Sequence, residues 1–338
     1  MKKQIFFLLF CYFFCFSIVV SQEITAKAYL VWDVTENKIL KEKDPLVSLP
    51  PASTIKLLTA MVVLDHAALD KSFVVSENAT KVEPKKLGIG AGDSMRCEDL
   101  LMALFLNSAN DVAVILAEGV AQNQKNFADL MNKKAKELGC KNSFFCNPNG
   151  LPDKNQYSCA CDLAILAYAA YQYEPLKKIL ATRKASVKST QGKTYNLYTQ
   201  NKFSENIYGK TGYTDKSQNT FAGIMVKGDK LIAFSILGSY PRSAMWNELA
   251  VLLEVKSPVK QNKAKASSEN SAKASSENPS KDVKTIQSLL HKKGYYKGKI
   301  DGVYGAQTQV AVKKFQQDNG LKADGKVGEN TWKKLNAK

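Results

Sequence analysis

Histidine is scarce in this sequence: His66 and His291 are the only two among 338 residues. That scarcity excludes most histidine-rich metal sites and leaves little room for a serine–histidine–aspartate triad. Acidic residues are also outnumbered, with 31 Asp and Glu against 48 Lys and Arg, which gives a formal charge of +17. A charge of that size favours polyanionic surroundings, such as nucleic acid, a membrane surface or anionic cell-wall polymers.

Long hydrophobic runs are missing outside the N-terminus, which excludes a polytopic membrane protein. The one apolar run covers residues 5–20; two lysines precede it and the small, polar Ser21 follows it. This arrangement is typical of a secretory signal, so we predict a signal peptide over residues 1–21 and an exported, extracytoplasmic protein. The alternative is a retained anchor, in which case the membrane would be a partner. Export removes nucleic acid from the expected partners.

The cysteines of the sequence are compatible with either a disulfide or free thiols. An odd number of cysteines outside the predicted signal means that a monomer has at least one unpaired thiol. Four of the five crowd into one segment, where a loop-stapling disulfide and buried free thiols are both compatible with the sequence. Since no histidine lies near them they do not predict a zinc site, and we predict no metal or other cofactor. These cysteines are Cys97, Cys140, Cys146, Cys159 and Cys161.

A change in composition divides the chain. In residues 256–280 Ser, Lys, Ala, Glu and Asn dominate, and the segment KASSEN occurs at 265–270 and again at 273–278. A polar repeat of this kind cannot bury enough apolar surface to offset the entropy cost of ordering, so we predict a flexible linker. The predicted organisation is therefore a large domain over residues 22–255, the linker, and a small domain over residues 281–338.

The large domain has strand patterns at both ends and helical patterns between them. Strands at both ends with helices between them predict an α+β fold, with an antiparallel sheet and a helical subdomain. Two pairs of predicted strands flank short polar turns, as in β-hairpins: 28–34 with 39–42, and 220–226 with 231–237. The predicted helices cover 53–64, 97–105, 111–120, 125–138 and 162–173.

Ser53 and Lys56 lie three residues apart at the start of the first predicted helix, and therefore on one face of it. A helix start also offers unpaired backbone N–H groups, including that of Ser53, which can stabilise an oxyanion. A nucleophilic serine needs a base, and lysine can serve when burial or a nearby cation lowers its pKa. Alone the pair is a weak signal, since about one chance match is expected in a chain of this length.

Two further segments strengthen that signal. Ser108 and Asn110 lie in the turn between two predicted helices, and residues 210–212 (KTG) lie at the start of a predicted strand. Taken singly, the first fits a helix-capping turn and the second an ordinary polar strand. In this order, however, the segments form the Ser-x-x-Lys, Ser-x-Asn and Lys-Thr-Gly set of the penicillin-recognising serine enzymes. Ala109 stands where the middle motif often has aspartate.

Residues 23–253 resemble the D-alanyl-D-alanine carboxypeptidases, the low-molecular-weight penicillin-binding proteins. The resemblance implies the transpeptidase fold shared by penicillin-binding proteins and β-lactamases, hydrolysis of peptidoglycan stem peptides, and covalent inhibition by β-lactams. In place of the family's usual β-rich C-terminal domain the sequence continues into the linker and the small domain. The similar segments are residues 49–60 (LPPASTIKLLTA), 107–113 (NSANDVA), 147–153 (NPNGLPD) and 210–214 (KTGYT).

The resemblance also implies four catalytic residues. Ser53 would attack the penultimate D-Ala carbonyl to form an acyl-enzyme, and Lys56 would take its proton. Ser108 would relay a proton to the leaving amine, and Asn110 would hold the amide on the acyl side of the substrate.

Four substrate-binding residues follow from the same resemblance. Lys210 and Thr211 would bind the terminal carboxylate of the substrate, and Gly212 would let the peptide approach the strand closely. The backbone N–H of Tyr213 would complete an oxyanion hole with that of the nucleophile. Arg242 is a further candidate for the carboxylate.

The same three motifs are compatible with activities other than that of a carboxypeptidase. A class A β-lactamase shares the three motifs, but it needs a water-activating glutamate, and no convincing Glu-x-x-Leu-Asn segment precedes residue 210. A D,D-endopeptidase would cut cross-links with the same residues. A penicillin-binding sensor or wall scaffold would be acylated without turnover, against which the intact motifs argue. His66 lies 13 residues beyond Ser53 on the same predicted helix, so it cannot easily fold back onto it.

The small domain contains an internal repeat, because residues 301–308 (DGVYGAQT) match residues 324–331 (DGKVGENT). Each Asp-Gly turn precedes a threonine that can begin a helix, and residues 283–290 predict an earlier amphipathic helix. Ligand spacing for calcium is absent. The pattern resembles the three-helix peptidoglycan-binding domain, and 13 lysines against five acidic residues suit an anionic wall. Its aromatic residues are glycan contacts or core, with core favoured for the last: Tyr295, Tyr296 and Trp332.

Overall fold

The computed structural model describes residues 24–82, 84–203, 205–259, 283–298, 300, 304 and 306–337. The predicted signal peptide and most of the predicted linker lie outside these residues. The described residues form two compact units, divided after residue 262, and each is described by itself. Within the described parts of the chain no helix is long and apolar enough to cross a membrane.

The first unit alternates strands and helices along the chain. Its strands are β1 (Ala28–Asp33), β2 (Lys38–Lys43), β3 (Ser72–Val74), β4 (Ser94–Arg96), β5 (Lys184–Lys188), β6 (Thr194–Tyr198), β7 (Ile207–Thr214), β8 (Gln218–Lys227) and β9 (Lys230–Ser239). Its helices are α1 (Lys56–His66), α2 (Glu77–Thr80), α3 (Cys97–Leu106), α4 (Asn110–Ala121), α5 (Gln124–Glu137), α6 (Ala160–Tyr171), α7 (Glu174–Ala181) and α8 (Arg242–Leu253).

A five-stranded antiparallel sheet, in the order β2-β1-β9-β8-β7, supports this unit. The two predicted hairpins are present as β1–β2 and β8–β9. Strand β1 also pairs with β9, which joins the two ends of the unit and produces the α+β arrangement expected from the sequence. Among the described strands β7 pairs with β8 alone, which leaves its other edge open to an extended ligand.

Successive side chains of a strand point to opposite faces of the sheet. In the central strands both faces are buried, each against a different core. In β8, Ala222 and Ile224 face the core that contains α1 and α3–α6. Phe221 and Met225 point the other way, into a smaller core with Trp246 of α8. Helices therefore cover both sides of the sheet, and the larger set forms the predicted helical subdomain.

The described residues of the second unit form three helices, as the sequence predicts: α9 (Val283–Lys292), α10 (Ala306–Asp318) and α11 (Glu329–Asn336). Its core contains Tyr296, and Trp332 is partly buried against it. In the second repeat the amide of Gln316 accepts a hydrogen bond from Gly325 N at 2.8 Å and donates to Thr331 Oγ1 at 3.1 Å. This buried amide joins the Asp-Gly turn to α11. The first repeat's Asp-Gly pair lies outside the described residues.

Candidate active site

Ser53 lies in a short 3-10 turn, Ala52–Ile55, that runs directly into α1. The predicted helix is therefore present, with its first turn wound more tightly. Ala52 has φ +49°, a left-handed conformation that non-glycine residues rarely adopt. The turn is fixed from β8, where Thr220 Oγ1 donates to the Pro51 carbonyl at 3.2 Å. This packing holds the Ser53 side chain, which is partly buried, at the wall of a cavity.

The amine of Lys56 is the centre of the site. It lies 2.9 Å from Ser53 Oγ, 2.7 Å from Asn110 Oδ1 and 3.0 Å from the Ser108 carbonyl. Ser108 Oγ is 3.4 Å away. The Lys56 side chain is fully buried because α1 is enclosed by the core on every side. The four predicted catalytic residues thus meet at one nitrogen atom.

The pKa of Lys56 is lowered well below its ordinary value of 10.5, mainly because burial penalises the ammonium, and further by the charges of Lys210 and Lys85. Asp111 opposes the shift more weakly. The pKa of Lys210 is lowered in the same way, by burial and by the charges of Lys85 and Arg242. Mutual repulsion in a desolvated site therefore favours a neutral Lys56 amine, which can accept a proton.

The Ser108–Asn110 turn lies between α3 and α4 and is shaped by backbone contacts. Ser108 has φ +57°, and α4 begins at Asn110. The Asn110 N–H donates to the Lys85 carbonyl at 2.7 Å, and its side-chain amide donates to the Pro84 carbonyl at 2.9 Å. These two bonds turn Asn110 Oδ1 towards the Lys56 amine.

A residue that sequence reasoning did not place in the site lies against Ser53, the predicted nucleophile. The Ser53 hydroxyl donates to the Asn149 carbonyl at 3.3 Å. The next residue, Gly150, has φ +84°, and a Cβ there would lie 2.1 Å from the Ala52 carbonyl oxygen. The loop at residues 147–153, noted only for its resemblance, is thus the support on which the nucleophile turn rests.

We therefore expect Gly150→Ala to impair the site strongly. The added methyl group must push the Ala52–Ser53 peptide away from its position, and the backbone at φ +84° is itself unfavourable for alanine. A displacement of about 1 Å is enough to cost roughly 10²-fold in rate. Acylation kinetics with a fluorescent penicillin measure the effect. Gly192→Ala is the matched control: it also has positive φ, but its Cβ would meet only a Lys188 side-chain atom, at 3.8 Å. Equal acylation rates for both variants would contradict this role.

The Lys-Thr-Gly segment lies in the middle of β7, rather than at its start as the sequence suggested. Lys210 is 1% exposed, and its ammonium donates to the Thr211 carbonyl at 2.8 Å. A Cβ at Gly212 would lie 2.9 Å from Ser53 N, so glycine allows β7 to pass close to the nucleophile. Tyr213 is 51% exposed, with its hydroxyl on Asp215.

A cavity of about 230 Å³ opens over these residues. Six of the eight predicted site residues line it, whereas Lys56 and Lys210 are buried beneath its wall. Arg242, the further candidate, also lines it. Residues of the lining that the sequence did not mark include Lys85, Gln200, Asn219 and Met245.

The cysteines lie apart from this chemistry. All five described cysteines are free thiols, and burial raises the pKa of Cys97 to about 11. In the described residues no group of three or more His, Cys, Asp or Glu side chains is placed to hold a metal ion.

Sequence comparisons agree with this geometry. Residues 17–240 match the family model for D-alanyl-D-alanine carboxypeptidase, and residues 279–335 match that of a peptidoglycan binding domain. The D-alanyl-D-alanine carboxypeptidase DacB2 of Mycobacterium tuberculosis is 30% identical over 238 residues, covering 68% of this chain and 81% of the relative. DacF of Bacillus subtilis is 31% identical over 225 residues, 63% of this chain. The matched region spans only 57% of DacF.

Solved structures give the same result. A D-alanyl-D-alanine carboxypeptidase from M. tuberculosis H37Rv superposes with a TM-score of 0.65 at 29% identity, covering 69% of this chain and 91% of that one. The Streptomyces K15 DD-transpeptidase also superposes with a TM-score of 0.65, covering 70% of this chain and 98% of that one. Its sequence identity is 21%, so this similarity shows the fold alone. Since the family model matches about two thirds of the chain around a Ser53–Lys56–Ser108–Asn110 cluster, the protein belongs to the D-alanyl-D-alanine carboxypeptidase family of serine-type hydrolases.

Proposed function

We propose that this protein removes the terminal D-Ala from peptidoglycan stem pentapeptides through an acyl-enzyme on Ser53. The observation that carries the proposal is the buried Lys56 amine, 2.9 Å from Ser53 Oγ and in contact with Ser108 and Asn110. This geometry supplies a nucleophile, its base and a proton relay in one site. No metal or cofactor is needed for these steps.

Acylation begins with proton transfer from Ser53 to the neutral Lys56 amine. Ser53 Oγ then forms a bond with the penultimate D-Ala carbonyl, and the tetrahedral intermediate collapses by breaking the bond to the terminal D-Ala nitrogen. The proton held by Lys56 passes to that leaving nitrogen by way of the Ser108 hydroxyl, 3.4 Å from the amine. A water molecule, deprotonated by Lys56, then hydrolyses the ester and restores the Ser53 hydroxyl.

The substrate would lie along the free edge of β7, in the extended form that a strand edge binds. The Ser53 and Tyr213 N–H groups would hold the developing oxyanion, where each donor is commonly worth about 3–4 kcal/mol. Gly212 leaves the space in which the peptide and the nucleophile turn come together. Asn110 would hold the amide on the acyl side, and Thr211 the terminal carboxylate.

The second candidate is a D,D-endopeptidase that cuts existing cross-links. It is favoured by two relatives of that name, one of which, the D-alanyl-D-alanine endopeptidase of Escherichia coli, is 31% identical over 230 residues. The test supplies the purified protein with a stem pentapeptide and, separately, with a purified cross-linked dimer. Pre-treatment with a β-lactam is the control. Faster D-Ala release from the pentapeptide supports the carboxypeptidase, and faster dimer cleavage supports the endopeptidase. Labelling by the β-lactam with neither cleavage would indicate a sensor without turnover.

We also propose that the second unit attaches the exported enzyme to the cell wall. Its match to a peptidoglycan binding domain and its excess of lysine support this role. Attachment would raise the local concentration of stem peptides without changing the chemistry.

If the second unit attaches the enzyme to the wall, its removal should abolish wall binding and leave catalysis intact. A variant ending at residue 262 is expected to lose co-sedimentation with purified peptidoglycan while keeping its kcat/KM on a soluble pentapeptide, because the first unit is compact by itself. Co-sedimentation of the full chain is expected to weaken as salt is raised, since charge screening acts on the lysines. Undiminished sedimentation of the shortened chain would contradict the tether.

A further inference from the structure

A side-chain oxygen at the edge of the active-site cavity holds two donors that face the substrate space. Gln200 Oε1 accepts a hydrogen bond from Lys85 Nζ at 2.9 Å and one from Thr211 Oγ1 at 3.4 Å. The other end of the same amide donates to the Asn107 carbonyl at 3.1 Å. Lys85, Gln200 and Thr211 all line the cavity.

This pair of donors suits a carboxylate better than an amide. An ammonium and a hydroxyl that converge on one oxygen form stronger, charge-assisted hydrogen bonds when that oxygen is ionised. A neutral amide oxygen gives Lys85 no compensating charge. An anion that enters the cavity can therefore replace Gln200 Oε1 between Lys85 and Thr211.

The charges around the cavity point in the same direction. Lys85 and Arg242 are the cations of its lining, and none of the described lining residues is acidic. Glu83, near Lys85 in sequence, lies outside the described residues. Burial, and after it the charge of Arg242, lower the pKa of Lys85, as expected for two cations that line one cavity. A bound anion would relieve the repulsion between them.

The backbone fixes Lys85 relative to the catalytic residues. Its carbonyl accepts the Asn110 N–H at 2.7 Å, and Pro84 accepts the Asn110 side-chain amide. Lys85 itself has φ +74°, a conformation that the loop holds in spite of its cost for a lysine. Lys210, by contrast, is buried with its ammonium on a backbone carbonyl, so its charge acts on the cavity through the wall.

We propose that Lys85 is a substrate-binding residue, whose ammonium, with the Thr211 hydroxyl, receives the carboxylate of the leaving D-Ala as that carboxylate displaces the Gln200 side-chain oxygen. The inference rests on the proposed function, because it assigns one part of the same substrate. Gln200 holds the two donors in place in the empty cavity and gives way when the anion arrives.

The test compares a peptide ending in D-Ala-D-Ala with the same peptide as its C-terminal carboxamide. Lys85→Met removes the charge and keeps the length of the side chain. Its expected effect is a loss of about 10- to 100-fold in kcat/KM on the acid, the range for one hydrogen bond to a charged group. On the carboxamide the loss of kcat/KM is expected to be clearly smaller, since the carboxylate contact is absent there and only the influence of Lys85 on the pKa of Lys56 remains. Lys85→Arg, which keeps the charge, should retain most of the wild-type kcat/KM on the acid. The exposed neighbour supplies the matched control, Lys86→Met, which should behave as wild type.

Equal losses on the acid and on the carboxamide would overturn the inference, because they would show that Lys85 acts through the loop or through the pKa of Lys56, and not on the carboxylate. Unchanged kinetics on the acid would overturn it as well. Failure of the wild type to cleave either peptide would contradict the proposed function instead. Calorimetric titration with the acid peptide then decides the inference without turnover: weaker binding by Lys85→Met than by Lys86→Met supports it, and equal binding overturns it.

Discussion

Replacing Ser53 with alanine is expected to lower kcat/KM for D-Ala release by at least about 10³-fold and to abolish covalent labelling by β-lactams. Alanine has no atom that can form the acyl bond, and the Ser53 hydroxyl is the one 2.9 Å from the Lys56 amine. The fold should survive, since within the described parts of the chain the hydroxyl is hydrogen-bonded to that amine and the Asn149 carbonyl alone. Steady-state kinetics and labelling with a fluorescent penicillin measure the two effects, with thermal unfolding as the check on folding.

Ser108→Ala is the matched control for this experiment. Its hydroxyl is also near Lys56, at 3.4 Å, but the mechanism gives it a proton relay and no bond to the acyl group. Ser108→Ala should therefore turn over slowly and still be labelled. Labelling that survives in Ser53→Ala and disappears in Ser108→Ala would reverse the two assignments.

Replacing Lys56 with methionine is expected to reduce the acylation rate by about 10²- to 10⁴-fold, the usual contribution of a positioned base. Methionine fills similar space in the core but cannot accept a proton. In the proposed mechanism acylation of the wild type requires the neutral amine, so its rate should be low below the pKa of Lys56 and rise as the pH rises through it. The pKa of Lys56 is lowered by burial and by the charges of Lys210 and Lys85. The increase in acylation rate should therefore occur at a pH well below 10.5.

The pH profile separates a base from a structural lysine. In Lys56→Met the remaining acylation rate should no longer rise through that pH window. The rate is measured by stopped-flow acylation with a β-lactam across the pH range, using Lys86→Met as the exposed-lysine control. A Lys56→Met variant that keeps the wild-type profile at any absolute rate would contradict the assignment of Lys56 as the base.

The fold was predictable wherever apolar periodicity is strong. The helices α1 and α3–α6 and the hairpins β1–β2 and β8–β9 appear close to their predicted positions because each has a clear apolar pattern. The short strand pairs β3–β4 and β5–β6 were not predicted from the sequence. Strand β5 is largely exposed, and β3 and β4 have three residues each. Such strands owe their pairing to tertiary neighbours, which local sequence does not reveal.

The site was predictable in its motifs and not in its surroundings. The spacing of Ser53 and Lys56 marks a pair on one helix face, and the resemblance supplied their partners. Nothing local marks Lys85 or Gln200, since each reaches the cavity from a loop and acquires its contacts only when distant segments meet. Sequence also could not show that the Lys210 ammonium is buried, because burial depends on how β7 packs.

The most direct test of the central claim is to locate the acyl bond by mass spectrometry. The protein is incubated briefly with a β-lactam, quenched with acid and digested with trypsin. We expect one adduct on the peptide of residues 44–56, with fragment ions that place it on Ser53. With a penicillin the adduct has the full mass of the inhibitor, because opening of its β-lactam ring expels no group. An adduct on Ser108 or on a cysteine, or no adduct on a folded protein, would contradict the assignment of Ser53 as the nucleophile.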